Sequence, residues 1–317
     1  MHFKALLVAA LAVGLAACQP VSQTAPPPVD AAPTPPVARP EVSSPEVSAE
    51  SRSARLFYAR LERRLLADGL MRVDGGGPDT PFGPAELARN FERVALFSEY
   101  VQINGRYVAR QSRAQLRRWE RPVRIQLHFG ASVDAETQRE DRSRIAAYVA
   151  RLRRISGHPI SLVNGGGNYH IFVASVDEQR ALGPQIAAVE PALGRQTIRE
   201  ITSLGSSTYC AVYASSSSER PNAYISAIAF VRSEHPDLFR LSCYHEEIAQ
   251  GLGLANDSPA ARPSIFNDDE EFALLTGHDE LLLRMLYDRR LRIGMTAEEA
   301  RPIVAQIAAE LRDAGPV

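Results

Sequence analysis

Residues 246–256 read Glu-Glu-Ile-Ala-Gln-Gly-Leu-Gly-Leu-Ala-Asn. On a helix, Glu246 and Gln250 stand four positions apart and share one face, where two side chains can converge on one ion or one substrate group. Glu247 lies beside them and can reach a bound water as a general base. Gly253 tolerates positive φ and can end the helix. The chain can then double back and offer Asn256, or its neighbour Asp257, to the same place. Glu246 would bind as a carboxylate and Gln250 through its carbonyl oxygen. Such an oxygen-rich set suits Ca²⁺ or Mg²⁺ better than Zn²⁺. A register beginning at His245 fails, because Ala249 then falls where a second ligand is needed.

The elements that must hold this helix are legible as an α/β (α+β) pattern. Two helical stretches, 52–71 and 84–101, carry leucine, phenylalanine and valine at helical spacing and form an N-terminal cap over 51–118. From 119 to 317 strands and helices mix. Residues 123–129 alternate apolar and polar side chains, which is strand period. An amphipathic helix over 135–155 follows, then strands at 160–163 and 169–176 joined by Gly165-Gly166-Gly167, read as a hairpin turn. A helix is expected over 178–189. Strands at 208–214 and 223–231 flank a serine loop, with 223–231 read as a sheet edge able to pair with an extended peptide. Pro236 opens the helix of Glu246, and 280–287 and 297–311 are C-terminal helices. Thr296 and Glu299 have the spacing of a capping box.

The spacing Glu246, Glu247, Gln250, Gly253, Asn256 resembles the metzincin zinc helix, His-Glu-x-x-His-x-x-Gly-x-x-His, with all three histidines exchanged. The element order is similar to the zincin sheet, whose active helix follows an edge strand bordering the substrate cleft. The resemblance continues downstream. Ser264-Ile265-Phe266-Asn267 stands where metzincins have the Met-turn, so that Phe266 replaces the methionine under the metal. Asp279 and Leu286-Tyr287 match the spacing of a C-terminal helix in matrix-metalloprotease-like domains. The same residues resemble a family of bacterial lipoproteins with a degenerate zincin-like domain. Loss of three imidazoles weakens zinc binding severely. The resemblance therefore implies a pseudoprotease whose cleft binds a peptide or an envelope polymer. The alternative is a divalent-metal-dependent peptidase with Glu247 as base and Glu246, Gln250, Asn256 or Asp257 as ligands. No cofactor is expected on the first reading, and a divalent metal on the second.

The chain has 317 residues and a formal charge of -1, so no nucleic-acid partner is implied. Its only lysine, Lys4, precedes an apolar run over 5–15 that is too short for a confident membrane span. Leu15-Ala16-Ala17-Cys18 resembles the bacterial lipobox. This implies a signal peptide over 1–17 and a diacylglyceryl group on Cys18. Gln19 follows where an Asp would resemble the inner-membrane retention signal, so anchoring at the outer membrane facing the periplasm is expected. Residues 18–50 form a proline-rich tether that buries nothing and favours extended polyproline II. In an oxidising compartment Cys210 and Cys243 suggest one disulfide. Cys243 is expected to point away from the Glu246/Gln250 face. His128 and His170 read as strand histidines rather than ligands. The chain has no Gly-x-Ser-x-Gly elbow, Walker loop or Cys-x-x-Cys.

Overall fold

A computed structural model describes residues 47–103, 106–267 and 269–313. The readings made on the leader, Cys18 and the tether to residue 46 lie outside them. The described chain opens with α1 (Ala49–Ala67), α2 (Pro84–Ala95), β1 (Phe97–Ile103), β2 (Arg106–Arg113), β3 (Arg118–Trp119) and β4 (Val123–Phe129). It continues through α3 (Ala135–Ser156), β5 (Ile160–Val163), β6 (Tyr169–Ala174), α4 (Val176–Gln179), α5 (Gly183–Val189) and α6 (Arg195–Ile201). It closes with β7 (Cys210–Ser217), β8 (Arg220–Arg232), α7 (Asp237–Leu252), α8 (Gly277–Leu286) and α9 (Ala297–Asp313).

The main sheet runs β3-β8-β6-β4-β5, all parallel, with β7 added antiparallel on β8. The mixed α/β class therefore stands. The edge does not lie where the sequence suggested. β8 is flanked by β6 and β3 on one side and β7 on the other, and β7 is the edge on that side. Burial explains the assignment: β8 carries Ala227 to Val231 fully buried, as an interior strand must, while every residue of β7 is only half-buried.

Three further expectations change. The helix expected over 84–101 stops at Ala95, because the run from Phe97 to Ile103 finds an antiparallel partner in β2. Strand pairing there outweighs a continued helical spacing. The helix expected over 178–189 is two short pieces, α4 and α5. The glycine turn 165–167 is not a hairpin, since β5 and β6 both lie parallel to β4, on opposite sides. The chain crosses close to β4, where a Cβ on Gly167 would sit 2.7 Å from the Gln126 Cβ. The capping box at Thr296 forms as read: Thr296 N donates to Glu299 and Glu299 N to Thr296 Oγ1.

One apolar core runs from Leu87 and Phe91 of α2 through the sheet and α7 to Ile307 of α9. A second cluster joins α1 to α7, where Tyr58 and Leu61 meet Phe239. A third covers the opposite face of β6 and β8 with Leu182, Ile186 and Ile201.

Candidate functional site

The helix that carries the motif is α7, and its backbone is held at many points. At its start Pro236 provides no side-chain cap, and Glu62 of α1 accepts from Phe239 N at 2.9 Å. A negative group suits a helix N-terminus. Arg240 donates to both oxygens of Asp141 on α3, at 2.9 and 3.2 Å, and Tyr244 donates to the same carboxylate at 2.7 Å. Aromatic donors fix the carbonyls further on. Tyr148 reaches His245 O at 2.7 Å, Tyr169 reaches Glu247 O at 2.5 Å, and Trp119 reaches Gly251 O at 2.7 Å. Tyr287 reaches Leu252 O at 3.1 Å. The last two satisfy carbonyls that a helix end leaves without intrahelical partners. Gly253 then leaves the helix at φ +127, and a Cβ there would meet Arg117 O at 2.4 Å.

Glu246, Glu247 and Gln250 all line a cleft of about 540 Å³ between α7 and the edge strand β7. The cleft runs along the consecutive residues 207–214 of the β7 segment. Glu247 is buried at its floor, and Glu246 is half-buried beside it. Their carboxylate oxygens and the Cys210 sulfur lie within 4.8 Å of one another. Cys210 is bonded to Cys243, with a Cα–Cα distance of 5.9 Å, so the expected disulfide forms. Cys243 stands three and four residues before the two glutamates, on their side of α7. The disulfide therefore sits against the acidic pair and does not turn away from it. Helical spacing gives this directly, since positions i, i+3, i+4 and i+7 stack.

The third position of the motif does not converge on the others. Asn256 is fully buried, and its Nδ2 donates to Arg93 O at 2.9 Å and to Asp257 O at 2.8 Å. Its backbone N–H donates to Val94 O at 3.1 Å. Asn256 therefore ties the loop after α7 to the end of α2. Asp257 takes its place in the cleft and accepts from Gln250 Nε2 at 2.8 Å. This hydrogen bond commits Gln250's nitrogen to a carboxylate.

Phe266 is fully buried in the main core and is not part of the cleft lining. The turn that carries it is locked by Asp279, which is itself fully buried. Asp279 accepts from Ser264 Oγ at 2.5 Å and from Ile265 N and Thr276 N at 3.0 Å. His245, the residue of the rejected register, lies behind the site. It stacks on Tyr148 at 3.8 Å and accepts from Leu275 N at 3.1 Å. Burial, and then Arg151, push its pKa down to about 3, so it is neutral.

The cleft also contains groups that sequence reasoning missed. Glu200 of α6 and Glu270 join Glu246, Glu247 and Asp257, giving, among the described residues, five carboxylates against one guanidinium, Arg117. Glu270 belongs to the acidic run Asp268-Asp269-Glu270-Glu271, and its backbone adopts φ 59. Tyr209 and Tyr224 add aromatic wall. Burial raises the pKa of both, and the Glu270 charge adds to the rise at Tyr209. Only the adjacency of Tyr209 to Cys210 hinted at its place.

A zinc ion has no imidazole to bind here. Among the described residues, the one cluster with metal-ligand spacing contains Cys210, Glu246 and Glu247, and the disulfide removes Cys210 as a thiolate. Two carboxylates remain, with Asp257 bonded to Gln250 nearby. The donor set does not fit zinc.

Comparison with known proteins gives one family. A family model described as "Protein of unknown function (DUF2927)" matches residues 84–306, well over half of the chain. No curated protein and no solved structure matches.

Proposed function

We propose a role for a chain that belongs to the DUF2927 family: its cleft holds an extended peptide with a cationic side chain and does not cleave it. The observation that carries this reading is the pairing of an antiparallel edge strand, β7, with an acidic floor on α7. An edge strand can take up an extended segment by main-chain hydrogen bonds. Glu246, Glu247 and Glu270 supply the charge for a lysine or arginine side chain. The edge strand beside the motif helix agrees with the zincin resemblance. The burial of Asn256 and the engagement of Gln250 support loss of the metal centre. On this reading the chain is a pseudoprotease of the cell envelope, tethered through lipid on Cys18 and facing the periplasm from the outer membrane.

The test uses the full-length protein and peptide pools that are basic, neutral or acidic but otherwise equal. Basic peptides are expected to bind and to be recovered intact by mass spectrometry, and Glu246→Gln and Glu270→Gln are each expected to weaken them several-fold. Equal binding of the three pools, or none, sinks the reading. The closeness of the Glu246 and Glu247 carboxylates favours one competitor, a divalent-metal-dependent peptidase with Glu247 as base. Cleavage abolished by Glu247→Gln, together with a near-stoichiometric ion in plasma mass spectrometry, would replace binding by catalysis. The anchor has its own test: an intact-mass shift for lipid that disappears in Cys18→Ser.

A further inference from the structure

Helix α1 has an inner and an outer half of contrasting chemistry. Tyr58, Leu61 and Leu65 are buried on one side. The rest of the turn carries Arg52, Arg55, Arg60, Arg63 and Arg64, all exposed. Leu56, 60% exposed, stands near the middle of this outer half, and Phe57 (45%) and Leu66 (46%), nine residues apart, stand at its two borders. Between Arg52 and Ala67 the single acidic residue is Glu62, and it is spent on Phe239 N of α7. Among the described residues none of the five arginines forms an ion pair; Arg52, Arg60 and Arg63 donate to carbonyls of their own helix segment.

We infer that this outer face of α1 lies on an anionic phospholipid surface. A basic face alone would also suit a nucleic acid. Leucine among the arginines, with leucine and phenylalanine at their borders, on a convex helix, fits a headgroup layer better. There the guanidinium groups meet phosphates while the apolar side chains enter the acyl boundary. Arginine stems are long enough to let both happen at once. Each arginine near such a surface adds to the attraction, and the effect falls off within a Debye length. The contact needs no lipid on Cys18 and would add to an anchor where one exists, since a second, polybasic signal strengthens membrane attachment.

The test places a reporter in the face. Trp119 is the chain's one tryptophan, and it is buried against Gly251. In full-length Phe57→Trp the introduced indole is therefore the one that brominated lipid can reach. Phosphatidylglycerol vesicles with brominated chains are expected to quench it, and brominated phosphatidylcholine vesicles are not. Salt at about 0.5 M should reverse the quenching. Adding Arg52→Gln, Arg60→Gln and Arg63→Gln should weaken partitioning about 100-fold, from the usual contribution per basic residue. Those positions are exposed, and an unchanged circular dichroism spectrum checks the fold. Quenching that ignores lipid charge and the three arginines would show adsorption through the apolar leader only and overturn the inference. So would the absence of quenching by either vesicle, or a response of the introduced indole to duplex DNA and to neither lipid.

Discussion

Asp141 is buried to 1% exposure and accepts from Arg240 twice and from Tyr244 once. It is the point at which α3 grips the helix of the candidate site. Removing one partner of a buried ion pair strands the other, which costs about 3–5 kcal/mol. Asp141→Ala is therefore expected to lose about that much stability in urea unfolding. A control at the exposed Asp134 cap of α3 should lose about 1 kcal/mol. Equal losses at the two positions would mean that the Arg240 network contributes no more than a helix cap. Asn256 follows the same logic: its motif position suggests a ligand, and its two donated bonds make it a clamp between loop and helix.

At the scale of elements, the cleft depends on the distance between β7 and α7. The disulfide Cys210–Cys243 spans that gap and closes a loop of 33 residues. Loop-closure entropy for that length is about 3–4 kcal/mol. Cys210→Ser with Cys243→Ser is expected to lower stability by about that amount and to weaken peptide binding, because the disulfide is the covalent link that fixes β7 against α7. Paired measurement of urea midpoint and peptide affinity checks both halves. Unchanged affinity in a destabilised variant would show that the edge strand keeps its place unaided. The aromatic donors to α7 belong to this scale too. Tyr148, Tyr169, Trp119 and Tyr287 come from four separate elements and set one helix against the sheet.

Across the whole molecule, several histidines are held neutral by burial. Burial, and then Arg151, lower the pKa of His245 to about 3. Burial, and then His170 and Arg142, lower that of His128 to about 4. His235 is pushed well below its ordinary value by burial and by the charges of Arg232 and Arg240. An unfolded histidine takes its proton near pH 6.5, whereas folded His245 and His128 do so only near 3 and 4. Between those values the unfolded chain binds more protons, so stability falls as pH drops below about 6.5. His245 alone should account for about 2 kcal/mol by pH 5. The difference in urea stability between pH 7 and pH 5 is expected to shrink by that amount in His245→Gln. A difference that stays the same would remove His245 from this account.

Local spacing in the sequence was enough to identify the helix of Glu246 and Glu247, its glycine stop and most strands, because periodicity and capping are properties of neighbouring residues. The cysteine pair was legible for a different reason: two thiols in an oxidising compartment have few alternatives. What required the tertiary structure was every choice between neighbours. Asn256 and Asp257 are adjacent and equally polar, and only the packing of the loop against α2 sends one into the core and the other into the cleft. β8 and β7 are both apolar strands, and only sheet order decides which is the edge. Glu200 and Glu270 carry no local signal, since they reach the site from distant segments. The direction of Phe266 was set by Asp279, a buried carboxylate that binds the turn from another helix. Chemistry at a site is a matter of which side chains converge, and convergence is decided by long-range packing.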